Sequence, residues 1–228
     1  MTAPEIAPAD QRRRRVFIVD DHPVTRRGLA DMINHELDLI VCGEADAAAP
    51  ALEAIKTLKP DLVIVDIGLP GKTGLALVND LHLCSPRAYV LVLSMHDEKL
   101  YAERVLRAGG HGYIMKSEGG EKVLQAIRHV LDGKTFVSGT VSSRIVDAFV
   151  GRRRDDDEPT LSQLTDREFE IFQLIGQGLP TAEIGHRLRL SPKTVHSHRL
   201  HIKDKLELHS LPELVRYAVL WVAAEDVL

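Results

Sequence analysis

The sequence predicts a doubly wound α/β domain on a five-stranded parallel sheet, with a second, smaller all-α domain after it. Three observations predict this. Five short apolar runs alternate with amphipathic helical patterns through the first part of the chain. Four of those runs end in a polar side chain: Asp20-Asp21, Asp66, Ser94 and Lys116. Beyond residue 160 the strand-like runs stop and only short helical patterns remain.

Val16-Phe17-Ile18-Val19 opens the alternation as a buried strand. His22-Pro23 then starts a helix with Pro near its first position and Val24, Leu29, Met32, Ile33 and Leu37 on one face. Leu39 to Gly43 reads as a strand, and residues 47–58 as a helix whose start Pro50 restricts. Leu62-Val63-Ile64-Val65-Asp66 is the most apolar strand, with turn residues Ile67-Gly68-Leu69-Pro70-Gly71 behind it. Leu75, Leu77, Val78 and Leu81 mark a helix that ends near Ser85-Pro86. The run from Tyr89 to Leu93 is a strand closing on Ser94, and the helix marked by Leu100, Val105 and Leu106 stops at Gly109-Gly110. His111 to Met115 is a short strand ending in Lys116. Val123, Leu124, Ile127, Val130 and Leu131 give a last helix, stopped by Gly133.

Residues 133–160 read as a connection. Val141, Ile145, Val146, Phe149 and Val150 recur at helical spacing, and the charged run 152–159 is a solvated linker. From residue 161 the signals are helical caps. Thr165 and Glu168 fit a capping box before Phe169, Ile171, Phe172 and Ile175, with Gly176 and Gly178 as stops. Thr181 starts a short helix, Ser191-Pro192 caps the next, and Ser210 with Glu213 makes a second box. The expected domains are therefore 15–132 and 161–228.

Composition narrows the class. The chain has 228 residues, 44% hydrophobic and 27% charged, an ordinary globular balance with room for two domains. Its net charge of −4 gives no whole-chain sign of a nucleic-acid partner, so any such sign must be local. Cys42 and Cys84 have no metal-type spacing and are too few for a disulfide scaffold. The first residues lack the apolar core of a signal peptide and no apolar run approaches membrane-spanning length, so a cytoplasmic protein with no membrane partner is expected.

Asp20, Asp21 and Asp66 would gather at one rim of the sheet, where open α/β folds place their chemistry. Carboxylates about 5 Å apart repel by about 3 kcal/mol per pair at an effective dielectric near 20. A hard divalent cation relieves that, and Mg²⁺ takes one or two carboxylates, waters and a phosphate oxygen. Lys116 is a point-charge partner for phosphate, Ser94 can donate to one of its oxygens, and a carboxylate can itself be the nucleophile in phosphoryl transfer. An Asp-nucleophile phosphatase would need a second acid two residues after Asp66, and Gly68 stands there.

The second constellation is a basic segment. From His186 to Lys205, six basic residues stand against Asp204 alone, a net charge of +5, with four histidines besides. On the helix from Pro192, Val195, His198, Ile202 and Leu206 share one face. Lys193, His196, Ser197, Leu200 and Lys203 share the other. An apolar anchor opposite a cationic, polar face suits a helix lying in a DNA major groove. The short helix at 181–188, joined by a tight turn, makes the pair a helix-turn-helix.

Val19-Asp20-Asp21-His22, Val65-Asp66-Ile67, Leu93-Ser94-Met95 and Gly112-Tyr113-Ile114-Met115-Lys116 resemble a flavodoxin-like response-regulator receiver domain. Leu164-Thr165-x-Arg167-Glu168, Gly178-Leu179-Pro180-Thr181-x-Glu183-Ile184, Ser191-x-x-Thr194-Val195-x-x-His198 and Lys205-Leu206 resemble the LuxR-type DNA-binding domain of the NarL/FixJ subfamily. The resemblance implies a DNA-binding regulator, not an enzyme, that answers a sensor histidine kinase. It implies Asp66 as phospho-acceptor, with Asp20, Asp21, Asp66 and the Gly68 carbonyl around Mg²⁺. It further implies Ser94 and Tyr113 as switch residues and Lys116 as counter-ion. On DNA it implies His196, Ser197 and Leu200 at base edges and Lys193, Thr194 and Lys203 at phosphates. A phosphorylated homodimer on two operator half-sites, and a receiver that masks the recognition helix at rest, are implied as well. Ser117 departs from the Pro often found after the lysine, Thr181 from Asn, Gly185 from Ala, and Leu200 from a polar or basic residue; Leu200 leaves the base preference open.

Overall fold

The computed structural model describes residues 13–69, 73–149 and 161–225. The N-terminal tail through Arg12, Pro70-Gly71, Val150 and the charged run 152–159 lie outside them. The chain divides into two compact units, Met1–Ser94 with Val105–Ser138, and Met95–Arg104 with Gly139–Leu228.

The first unit is an all-parallel sheet of β1 (Arg14–Val19), β2 (Leu39–Ala45), β3 (Leu62–Val65), β4 (Tyr89–Ser94) and β5 (Gly112–Met115). Its order is β2-β1-β3-β4-β5. Helices α1 (Pro23–Asn34), α2 (Ala48–Leu58), α3 (Gly74–Cys84) and α5 (Gly120–Leu131) connect or follow the strands; of α4 (Glu98–Arg107), between β4 and β5, the residues through Arg104 are grouped with the second unit. Every residue of β3 is buried, as a strand covered on both faces requires. Pleating sends Val16, Ile18, Leu62, Ile64, Leu91 and Ile114 to one face, where Leu29 and Ile33 of α1 and Val123, Ile127 and Val130 of α5 cover them.

Two details differ from expectation, and a third concerns the loop that Ser117 left open. β2 runs two residues past its apolar stretch because Glu44 and Ala45 continue the pairing with Ile18 and Val19. The start of the expected connection belongs to the sheet edge. Tyr113 N–H donates to the Phe136 carbonyl at 2.8 Å, and Phe136 N–H to the His111 carbonyl at 3.1 Å, which covers β5. At Ser117 the chain takes a short 3₁₀ turn, Lys116–Glu118, and no cis peptide occurs among the described residues.

The second unit contains α6 (Gly139–Phe149), α7 (Asp166–Gly176), α8 (Thr181–Leu188), α9 (Pro192–Lys205) and α10 (Leu211–Glu225). Phe169, Phe172, Ile184, Val195, Ile202, Leu206, Leu214 and Ala218 form its core. Within this unit Arg104 is buried over the Phe169 ring, 4.4 Å from its centroid, and donates to Asp166 Oδ1 and the Leu161 carbonyl. The Thr165–Glu168 capping box is formed in both directions. The second is only half formed: Glu213 N–H donates to Ser210 Oγ, but the Glu213 carboxylate accepts from the His209 N–H instead. α7 ends at Gly176, its last helical residue, where a Cβ would meet the Ala218 carbonyl oxygen at 2.5 Å, and Gly178, with φ of +80°, turns the chain just beyond.

Candidate functional site

In this strand order the chain turns to opposite sides after β1 and β3, which leaves a crevice at their carboxyl ends. Asp20 and Asp66 are the residues that step out there. Each is anchored by its backbone, Asp20 N–H to the Ala45 carbonyl and Asp66 N–H to the Val19 carbonyl. Gly74, the first residue of α3, lies so close to the Asp66 carbonyl that a Cβ would stand 2.1 Å from its oxygen. Only a glycine lets the helix begin that near the acid.

Both acids are buried, at 2% and 4% exposure. Lys116 Nζ stands between them, 2.8 Å from Asp20 Oδ2 and 2.6 Å from Asp66 Oδ2. Burial pulls the lysine pKa down, but the hydrogen bonds to Asp20 and Asp66 outweigh it and hold the ammonium above its ordinary value. Asp66 Oδ1 accepts the Gly68 N–H at 3.2 Å. Asp21 Oδ1 is buried without a hydrogen bond, although His22 Nδ1 lies 2.9 Å away. One ligand atom each from Asp20, Asp21, His22 and Asp66 lies within 4.8 Å of the others, a spacing that one cation can span. Three carboxylates, two of them buried and the third with a buried oxygen that makes no hydrogen bond, fit a hard divalent ion, and His22 is the one nitrogen donor in the set.

Ser94 and Tyr113 are both buried, Ser94 paired in register with Met115 and Tyr113 with Val92. The sheet thus brings Asp20, Asp21, Asp66 and Lys116 into one cluster and places Ser94 and Tyr113 on the strands beside it. Two residues escaped the sequence reading. His22 joins the acid cluster, and Gly74 sets the helix against Asp66. A glycine directly after a Thr N-cap was the available sign of the second.

On α9, Ser191 Oγ accepts the Thr194 N–H at 3.1 Å, and Pro192 stands in the first turn. Val195, Ile202 and Leu206 are buried, while Lys193, Thr194, His196, Ser197 and Leu200 are exposed and Lys203 is half-buried beside Asp204. Arg199 leaves the cationic face and donates to Thr181 Oγ1 at 2.7 Å, tying α8 to α9. The tight turn needs Arg189 in the left-handed region, with φ of +54°. It also needs a bare Gly185, whose Cβ would meet the Leu190 carbonyl oxygen at 2.8 Å. The departure from Ala at 185 and from Asn at 181 both have local structural reasons.

The architecture therefore defines a doubly wound domain with an acidic, lysine-bridged rim and a helix-turn-helix unit. Residues 16–128 match the response regulator receiver domain family, and residues 162–218 match the luxR family of bacterial regulatory proteins. The oxygen regulatory protein NreC of Staphylococcus haemolyticus is 36% identical over 209 residues, covering 90% of this chain and 96% of that protein. Its Staphylococcus aureus counterpart matches equally. A LuxR-family response regulator from Aurantimonas sp. SI85-9A1 is 30% identical, with a TM-score of 0.56 over 60% of this chain and 99% of that one. RcsB from Salmonella enterica serovar Typhimurium, solved on promoter DNA with a phosphomimetic, shares the fold at a TM-score of 0.72 and 22% identity, over 91% and 98% of the two chains. The chain belongs to the response regulators that join a receiver to a LuxR-type helix-turn-helix, and it is a DNA-binding transcriptional regulator of a two-component system. No helix among the described residues is long and apolar enough to cross a membrane.

Proposed function

We propose that Asp66 is the phospho-acceptor, and that its phosphorylation controls DNA binding by α9. The observation that carries this is Lys116 Nζ bridging two buried acids that end adjacent strands. Asp20, Asp21, Asp66 and the Gly68 carbonyl would hold Mg²⁺, which supplies charge neutralisation as the phosphoryl group arrives. An Asp66 carboxylate oxygen attacks phosphorus, and the P–N bond to the kinase histidine breaks. The electron pair stays on the imidazole, which takes up a proton. The acyl phosphate carries about two negative charges and strong acceptor oxygens. Lys116 can pair with them, and Ser94 can donate to one, with Tyr113 moving in concert.

Residues 15–132 are the receiver in this reading, 133–160 the connection and 161–228 the DNA-binding domain. Phosphorylation shifts a population toward a DNA-competent homodimer on two half-sites. His196, Ser197 and Leu200 would face base edges, and Lys193, Thr194 and Lys203 phosphates; exposure of the first five supports this. The protein acts as a cytoplasmic stoichiometric switch and not as a turnover enzyme. Replacing Asp66 with Asn tests the acceptor. Acetyl phosphate with Mg²⁺ is expected to label the wild type and leave the variant unlabelled; equal labelling of both overturns the assignment.

A further inference from the structure

We propose that Glu168, His198 and His201 form a divalent transition-metal site, suited to Zn²⁺, that clips α7 to α9. The three residues each offer a ligand atom, and these atoms lie within 4.8 Å of one another. Tetrahedral zinc bonds of about 2.0–2.2 Å need ligand atoms about 3.3 Å apart, so small side-chain rotations close the set. Imidazole nitrogen with one carboxylate is a zinc-type donor combination.

Two further observations point at a ligand. His198 Nδ1 is buried and has no hydrogen-bond partner among the described residues, an unusual state for a ring nitrogen inside a domain. Glu168 is buried, and its three bonds, from Lys205 Nζ at 2.6 Å, Thr165 N–H at 2.8 Å and Thr165 Oγ1 at 2.9 Å, all end on Oε2. Oε1 carries none of them, so a metal could bind there without breaking the capping box. His201 is exposed and gives the ion its way in. Lys205 stands close by as a cation, which weakens the site relative to a dedicated structural zinc centre.

The site shares no residue with the phosphorylation rim or with the set proposed to face DNA. At 100° per residue, His198, His201 and Lys205 lie on the flank of α9 that also carries Thr194, away from the exposed His196–Leu200 side. Metal bound there would fix the recognition helix to α7 while leaving its His196–Leu200 side free.

The test is Zn²⁺ titration of the full chain against a chromophoric chelator, in millimolar Mg²⁺ and reducing buffer. Thermal melts followed by Trp221 fluorescence accompany it; the indole packs on Phe169 and Phe172. His201→Ala removes an exposed ligand, and His201→Cys replaces it with another zinc ligand. Wild type is expected to take one equivalent more than H201A, or to hold it at least tenfold more tightly. Zn²⁺ should raise the Trp221 melting temperature in wild type and H201C but not in H201A. Equal binding by wild type and H201A, loss of binding in H201C, or an unmoved wild-type melt would each overturn the site.

Discussion

Lys116 is the residue on which the resting rim depends. Its ammonium compensates two carboxylates that burial would otherwise leave facing one another. Breaking a buried pair from one side costs about 3–5 kcal/mol, because the remaining charge has no partner. Lys116→Met should therefore lose stability of that order in urea unfolding followed by circular dichroism. Millimolar Mg²⁺ should restore more of it in the variant than it adds to wild type, since a bound cation takes over the neutralisation. Equal Mg²⁺ effects would contradict the shared site. His111 makes a second residue-scale prediction. Burial, with the nearby His82 charge, lowers its pKa below 6.5, and its Nδ1 accepts the Val90 N–H at 3.1 Å. A folded pKa below the unfolded one means the unfolded chain binds the proton first. The contribution is complete above pH 6.5 and is lost as pH falls through the folded pKa. The His111 ring signals in an NMR titration should move at a pH below 6.5, and stability should fall more gently with acid in His111→Gln.

At the scale of elements, strands were the most legible part. A strand buried on both faces has no polar positions to confuse its pattern, and its last residue is marked by the change to Asp, Ser or Lys. The acid–lysine cluster followed from those strand ends alone. What stayed hidden depends on distances between segments far apart in sequence. Gly176 read only as a stop, because a glycine in a helix costs stability, and nothing in the sequence showed that α10 approaches it too closely for a side chain. His22 was hidden because its role depends on where Asp66 arrives from a different strand. Phe136 was read as connection because an edge pairing of so few residues leaves no period. Gly185 is the sharpest case. Ala there would press on the Leu190 carbonyl in the turn before α9, and overpacking of this kind costs about 1–3 kcal/mol. Gly185→Ala should lower the melting temperature read by Trp221 and weaken DNA binding with it. An unchanged melt would show that the turn can relax.

For the whole molecule, charge is divided by task. The chain is −4 overall, while the segment from His186 to Lys205 is +5, so attraction to DNA is local and salt-dependent. Lys193→Ala should weaken binding to all sequences alike and reduce the salt slope by about one, whereas changes at Ser197 or Leu200 should alter sequence preference. The central claim is that chemistry at Asp66 governs what α9 does. The direct measurement is DNA affinity at fixed salt, on fragments selected from a random pool, with and without Mg²⁺ and beryllofluoride, for wild type and Asp66→Asn. Affinity should rise on treatment of the wild type and stay low in the variant. High affinity in untreated wild type, unchanged by beryllofluoride, would contradict the account and leave DNA binding independent of the rim.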